Sequence, residues 1–242
     1  MIYKANEKEY LRIGLFGISR SGKNYTIDDF IEIAKENGIE FVHMSSMDMI
    51  RERLGDRKLS TMYENEKKEL VDRVRFEIDE VAKDHNVIVD EHYCYPESFG
   101  GVKPENGYFD EKLPHDIWHR EVGKVDYEVV FPRFEFLKYD VLAVMEVDPE
   151  IIVERCRASE GAKHNPHITV DQAREWEHTE KLGVCLESHK DVYFIDDPKR
   201  SGEQLWKWYN HSLFVKAFDG LSPQSTRVYK VELVDRDGGK KA

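Results

Sequence analysis

Cysteine is scarce in this chain. Its 242 residues hold three, Cys94, Cys156 and Cys185, odd in number, far apart and without a C-x-x-C pair. That pattern excludes a disulfide framework and a thiolate zinc site, and three free thiols are expected. Long apolar runs are also missing. None approaches the roughly 18 residues a membrane-spanning helix needs, so no membrane partner is expected. The first ten residues, MIYKANEKEY, are polar and mixed in charge rather than basic and then apolar, and a cytoplasmic protein is expected. Positive charge is short as well: 36 Lys and Arg stand against 48 Asp and Glu, a net charge of −12. That balance disfavours a broad electrostatic grip on nucleic acid, and a small anionic substrate would need its own local cluster of Arg and Lys. No internal repeat or low-complexity block is visible.

What is present centres on Leu11 to Phe30, LRIGLFGISRSGKNYTIDDF. Ile13 to Phe16 reads as a buried strand. It breaks into Gly17-Ile18-Ser19-Arg20-Ser21-Gly22-Lys23, and an amphipathic pattern follows, with Ile27, Phe30, Ile31, Ile33 and Ala34 at helical spacing up to Gly38. In a G-x-x-x-x-G-K loop the glycines let backbone N–H groups curl inward around phosphate oxygens. The lysine reaches the outer phosphates, and the helix N-terminus adds partial positive charge. Gly17, Ser19, Ser21, Gly22, Lys23, Asn24 and Tyr25 are therefore the candidate nucleotide-binding residues. The position after the lysine, commonly Ser or Thr donating a hydroxyl to magnesium, is Asn24, whose amide oxygen can still ligate a hard cation or hold one of its waters.

Strands alternate with helices along the rest of the chain, which predicts a parallel sheet covered on both faces. A second strand is expected at Glu40–Met44 and a helix ending near Gly55. Asp56–Ser60 reads as a turn. A long helix over about Tyr63–Asp84 carries Leu70, Val71, Val74, Ile78 and Val81 on one stripe. Asn86–Val89 is an apolar burst that ends at Asp90-Glu91-His92, at the strand end where open α/β sheets place their ligands. Residues 94–116, rich in Gly, Pro and Tyr, predict a long substrate loop or small insertion. Asp126–Phe131 leads to a third core strand at Asp140–Glu146. Asp148 and Pro149 then open a helix through Arg157, as N-cap and first helical residue. A polar break at about 158–168 reads as a lid, Val170–Leu182 as a charged helix and Val192–Ile195 as the last core strand. Beyond position 200 a helix with Leu205, Trp206, Trp208 and Tyr209 precedes an edge-strand pattern at Arg227–Val234, a C-terminal extension (201–242) packed on the same domain as residues 1–200.

Asp90 stands where P-loop proteins hold magnesium, and an Asp capping the next turn would leave the same letters. His92 could meet substrate or serve as a packed structural residue. Arg155, Arg157, Lys163 and His164 gather at one helix end and the loop beyond, where guanidinium groups could stabilise a phosphoryl group in transfer or simply form a solvated face. Arg51, Arg53, Arg57 and Lys58, beyond the second strand, are a second cationic group suited to an acceptor phosphate.

Taken in order, these motifs resemble the nucleoside monophosphate kinases, and most of all the archaeal-type adenylate kinases. The resemblance runs through the Gly17–Lys23 loop, Arg57-Lys58-Leu59-Ser60, Val87-Ile88-Val89-Asp90-Glu91-His92 with Glu91 where Thr is usual, Gly107-Tyr108, Leu113-Pro114, the stretch from Asp140 to Arg155, and Glu177-His178. It implies a three-layer α/β P-loop kinase fold, ATP as donor, magnesium at Asn24 and Asp90, and Lys23, Asp90, Arg155 and Arg157 as catalytic residues. It also implies a small-molecule acceptor near Ser46, Met47, Arg57 and His92. Two other readings stay open at this level: a kinase acting on a polynucleotide or a modified DNA base, and a nucleotide-binding regulator without turnover, for which Asn24 speaks. Oligomeric state is open.

Overall fold

Three apolar bursts, IGLF, VIV and VLAVM, become the adjacent central strands of one parallel sheet. The computed structural model describes residues 10–55, 57, 62–96, 120–122, 125–129, 131, 133–158 and 168–218. In chain order the elements are β1 (Arg12–Phe16), α1 (Lys23–Glu36), β2 (Phe41–Ser45), α2 (Ser46–Leu54), α3 (Glu64–Ala82), β3 (Asn86–Glu91), β4 (Cys94–Pro96), β5 (Arg120–Val122), β6 (Val125–Val129), a 3-10 helix (Arg133–Lys138), β7 (Val141–Met145), α4 (Pro149–Ala158), α5 (Val170–Ser188), β8 (Val192–Ile195) and α6 (Ser201–Phe218). The large sheet has the order β2-β3-β1-β7-β8, and every neighbouring pair is parallel. β1 lies at its centre. Its carboxyl end therefore opens beside those of β3 and β7, the place where an open parallel sheet binds ligands.

Alternation along β1 sorts the layers. Arg12, Gly14 and Phe16 face one way: Phe16 packs edge-on against Phe131 and tilted against Phe136, and a Cβ on Gly14 would come within 2.9 Å of the Tyr139 ring. Arg12 pairs there with Asp79 of α3 and lies 4.6 Å from the centre of the Tyr139 ring. Asp79 also takes Lys138 at 2.6 Å, and Arg75 of α3 lies 3.4 Å from buried Glu135. Arg12 and the Arg75–Glu135 pair are buried, and removing a partner there strands the other charge in the interior, whereas Lys138 meets Asp79 at the half-exposed edge. On the other face α6 lies along α1, where Phe30, Phe41, Trp206 and Tyr209 form an aromatic cluster. Aromatic burial of this kind supplies most of the energy of such a contact.

Local chemistry explains the element ends. Asp148 accepts the Glu150 N–H at 2.9 Å ahead of Pro149, as the Asp-Pro start predicts. Thr169 and Gln172 form a reciprocal capping box at the start of α5. On the α3 stripe, Val74 and Ile78 are buried, with Leu70, Val71 and Val81 packed against them. The three thiols are free. Among the described residues no helix is long and apolar enough to cross a membrane.

Two expectations change. The stretch from Cys94, read as a long loop or small insertion, begins with a strand: β4 pairs antiparallel with β6, which pairs with β5, in a separate three-stranded sheet. Three-residue strands have no readable period, and their partner lies some thirty residues on, so pairing and not local pattern creates them. Helix α5 also runs on to Ser188, past the expected end at Leu182. Gly183 sits inside it because a Cβ there would come within 1.9 Å of the Tyr93 ring. The polar break within 159–167, Gly107-Tyr108, Leu113-Pro114 and the Arg227–Val234 strand lie outside the described residues.

The start of α6 is built around a missing Cβ. Gly202 donates its N–H to the Asp29 carboxylate at 3.1 Å, and a Cβ at this position would lie 2.3 Å from that same oxygen. Gly202→Ala must push Asp29 off the helix N-terminus. A loss of about 1–3 kcal/mol is expected, read as a lower urea midpoint with unchanged slope.

Candidate active site

The loop between β1 and α1 takes its shape from residues with positive φ. Gly17 has φ +152°, Arg20 +68° and Gly22 +104°. At Gly17 a Cβ would come within 2.9 Å of both the Met145 Cβ and the Ser21 Oγ, so a side chain is excluded by space as well as by backbone conformation. The turn is closed by the Ser21 N–H on the Ile18 carbonyl at 3.2 Å. Arg155 of α4 braces the loop from outside, one Nη1 donating to the carbonyls of Arg20 (3.0 Å) and Ser21 (3.1 Å). Carbonyl and N–H point opposite ways in a trans peptide, so this hold turns the N–H groups of Ser21 and Gly22 away from Arg155.

Lys23 opens α1 and is buried at 6 % exposure. Its ammonium donates to the Gly17 carbonyl and, at 3.4 Å, to that of Ile18. It lies 3.4 Å from the Asp90 carboxylate and 3.2 Å from Nε2 of His92. Lysine offers only donors, so the facing Nε2 accepts and the ring proton belongs on Nδ1. Burial, with the Lys23 and Arg51 charges nearby, holds His92 well below the usual histidine range and keeps the ring neutral.

These groups line one cleft of about 740 Å³, a size suited to a nucleotide or comparable ligand. Ser19, Ser21, Gly22, Lys23, Asn24, Tyr25, Met47, Asp90, His92 and Arg155 all border it, which brings together most of the residues singled out in the sequence. Gly17 contributes its carbonyl to Lys23 from behind. The cleft holds four cationic side chains, Arg20, Lys23, Arg51 and Arg155, against two carboxylates, Asp48 and Asp90. An acidic protein therefore presents a locally cationic pocket.

Other candidates stand elsewhere. Ser46 turns away to donate to buried Glu91 at 2.8 Å. Arg57 is exposed and paired with Glu66 at 3.4 Å. Arg157 lines a separate concavity with Glu150, Val153, Glu154, Ala158 and Val170. The reading missed Ser45, Asp48, Pro198 and Ser201, which border the cleft. Ser45 and Asp48 carried a signal as N-cap and first-turn acid of α2, joined at 3.3 Å; Ser201 gave none, because it arrives with α6 from far along the chain.

The residues present suit a polyphosphate with a hard cation. Ser21 Oγ and His92 Nδ1 are buried without a hydrogen-bond partner, an arrangement that costs free energy until a ligand meets it, and Asp90 Oδ1 meets the Lys23 ammonium at 3.4 Å without a hydrogen bond. Among the described residues no three His, Cys, Asp or Glu gather as a metal cage. Magnesium fits such a site, since it binds through one or two carboxylates plus phosphates and waters; Asp90 and Asn24 are the side chains that would hold it.

The sheet order and the glycine loop define an α/β protein of the P-loop kinase fold. No family model matches the sequence, and no curated protein matches it either. Similar solved structures include shikimate kinase from Bacteroides thetaiotaomicron, at 15 % identity over 83 % of this chain and 98 % of that one with a TM-score of 0.48. Shikimate kinase from Aquifex aeolicus (15 %, 86 % and 98 %, TM-score 0.43) and TT1252 from Thermus thermophilus (12 %, 89 % and 100 %, TM-score 0.42) are others. Overlaps this loose bear on no residue or reaction of this chain.

Behind His92, Glu180 of α5 is fully buried, accepting the Tyr93 N–H at 2.8 Å and the Cys94 N–H at 3.0 Å. Burial pushes its carboxyl up to about 7 from 4.5, against the two N–H groups and Lys23, which pull it down. The folded state then holds the proton longer than the unfolded chain. The associated stability is whole below pH about 4.5 and is lost as pH rises through about 7. Urea unfolding should show the wild type losing on the order of 2 kcal/mol between pH 5 and 7.5 relative to Glu180→Gln.

Proposed function

We propose that this protein is an ATP-dependent phosphotransferase acting on a nucleoside monophosphate or a related small acceptor. The observation that carries the reading is the convergence of Asp90 and His92 on Lys23, both within 3.4 Å of its Nζ, at a glycine loop bordering a cationic cleft.

Loop N–H groups of Ser19, Arg20, Gly22 and Lys23 at the start of α1 would bind the donor's phosphates, while the Ser21 N–H stays on the Ile18 carbonyl and Gly17 shapes the turn from behind. On binding, Lys23 would exchange loop carbonyls for phosphate oxygens. Asn24 and Asp90 would hold magnesium, and Tyr25, exposed at the rim, would border the nucleotide. ATP–Mg supplies the transferable phosphoryl group and neutralises part of its charge. Arg155 borders the cleft and would have to leave the Arg20 and Ser21 carbonyls to meet charge on that group, while Arg157 would have to come from the neighbouring concavity. On the acceptor side Met47 and His92 border the cleft, and Arg51 is the cation placed to meet an acceptor anion. Ser46 would act through Glu91, and Arg57 stands outside. Catalysis of this kind is positioning plus electrostatics.

The test is ADP formation from ATP–Mg in a coupled assay across ribo- and deoxynucleoside monophosphates and a short oligonucleotide. Turnover with one small acceptor is expected, with Lys23→Ala lowering kcat/KM at least about 100-fold, near 3 kcal/mol. Arg51→Ala should raise the acceptor KM by about tenfold, the loss of one charge-assisted hydrogen bond, and Arg57→Ala should leave it unchanged. Tight ATP binding without turnover on any acceptor would replace this reading with that of a nucleotide-binding regulator. Turnover on the oligonucleotide alone would replace it with a polynucleotide kinase.

A further inference from the structure

Helix α5 carries three residues at i, i+4 and i+7 that grip the chain just after His92. Trp176 donates its indole N–H to the Cys94 carbonyl at 3.0 Å. Glu180 takes the N–H groups of Tyr93 and Cys94, one on each carboxylate oxygen, and Gly183 lets the Tyr93 ring lie against the helix backbone. The Trp176 ring also stacks with His92, centroids 6.2 Å apart and planes 19° apart, while Tyr95 packs against the imidazole at 4.7 Å. Among the described residues, the rings that pack on the imidazole belong to this clasp or to the strand it holds.

Glu180 occupies a position, 1 % exposed, where an apolar side chain would be the ordinary occupant. A buried carboxyl is costly unless its bonds are well made. Two backbone donors with parallel demands are what a carboxylate satisfies and an amide does not, because an amide offers only one oxygen. We infer that Glu180 is a positioning residue that fixes the Tyr93–Cys94 backbone and thereby holds the His92 imidazole against Lys23. The inference rests on the reading of Lys23 as a phosphate-binding lysine only for its effect on nucleotide, not for its effect on the ring.

The surroundings make the effect separable. The groups around Glu180 are Lys23 from α1, Tyr93 just before β4, and Cys94 and Tyr95 in β4, with His92 reached through the Tyr93 backbone. His92 is held well below its usual range, and burial pushes the Cys94 thiol and the Tyr95 phenol up. None of those three changes charge near neutrality, whereas the Glu180 carboxyl is pushed up to about 7.

Long-range 1H–15N spectra of the full chain labelled at histidine test the inference without requiring turnover. His92 is assigned by its absence in His92→Gln. In Glu180→Gln the His92 ring signals should move and lose an inflection near pH 7 that the wild type shows. ATP affinity, measured by calorimetry, should fall by about tenfold as Lys23 loses its neighbour's alignment. Trp176→Phe leaves a smaller aromatic ring beside His92 and removes the indole N–H bond to Cys94; it should abolish the alignment of the imidazole while retaining the inflection near pH 7, and it serves where Glu180→Gln fails to fold. Lower thermal stability with His92 signals and their pH course unchanged would overturn the inference and leave Glu180 a structural residue. Displaced His92 signals in a protein that turns over no acceptor would uphold the inference and overturn the kinase reading.

Discussion

A buried lysine is the constraint on which the ligand-facing end of this protein depends. Lys23 sits at 6 % exposure, and its ammonium can stay there only if every side of it is answered. The Gly17 and Ile18 carbonyls answer from the loop, Asp90 from β3 and His92 from the link to β4. One cation therefore ties α1, the loop and the β3 terminus together. The arrangement is exchangeable by its nature, since the loop carbonyls are neutral acceptors and a phosphate oxygen is a stronger one.

The layer beneath explains why the cleft has its particular walls. Glu91 stands where the resemblance leads one to expect Thr, and its buried carboxyl accepts from Ser46 at 2.8 Å and Tyr139 at 2.9 Å. A Thr is too short to make both bonds. The longer acid pulls Ser46 inward and leaves Ser45, Met47 and Arg51 to form the wall. Burial pushes Glu91 up in pKa, with Arg75 pulling the other way. Through Tyr139, which lies under Arg12, the same carboxyl joins the buried charged layer between the sheet and α3. The Glu91 carboxyl thus holds one candidate residue, Ser46, out of the cleft wall.

Much of this was legible in the chain itself. The sheet strands are apolar bursts bounded by turn signals, and the glycine loop, Asp-Pro start and α3 stripe each state their own structure locally. Lys23, Asp90 and His92 were readable for the same reason, because they stand at strand and helix ends fixed by those bursts. Other features depend on distant partners. β4 exists through its pairing with β6; Glu180 on a charged helix gives no sign that it will be buried; and Ser201 meets the cleft only because α6 folds back on α1. Arg157 and Arg57 resemble Arg155 and Arg51 in sequence, but rotation about α4 carries Arg157 into a separate concavity, and Arg57 lies past Gly55, beyond the end of α2.

For the phosphotransferase proposed above, charge distribution favours a small acceptor over a polymer. The whole chain carries −12, while the cleft gathers four cations around two carboxylates. Attraction of that kind is confined to the pocket, because exposed charges separated by more than about 8 Å are largely screened at physiological salt. A mononucleotide places all of its charge inside that range. A polynucleotide would place most of its phosphates over the acidic exterior, where each added unit meets repulsion and releases few counterions. Arg51 points the same way: it is already bonded to Asp48 at 2.9 Å, so an incoming anion must outcompete a carboxylate for it. A dianionic phosphate does so by charge, whereas a single diester phosphate of a polymer meets Asp48 on equal terms.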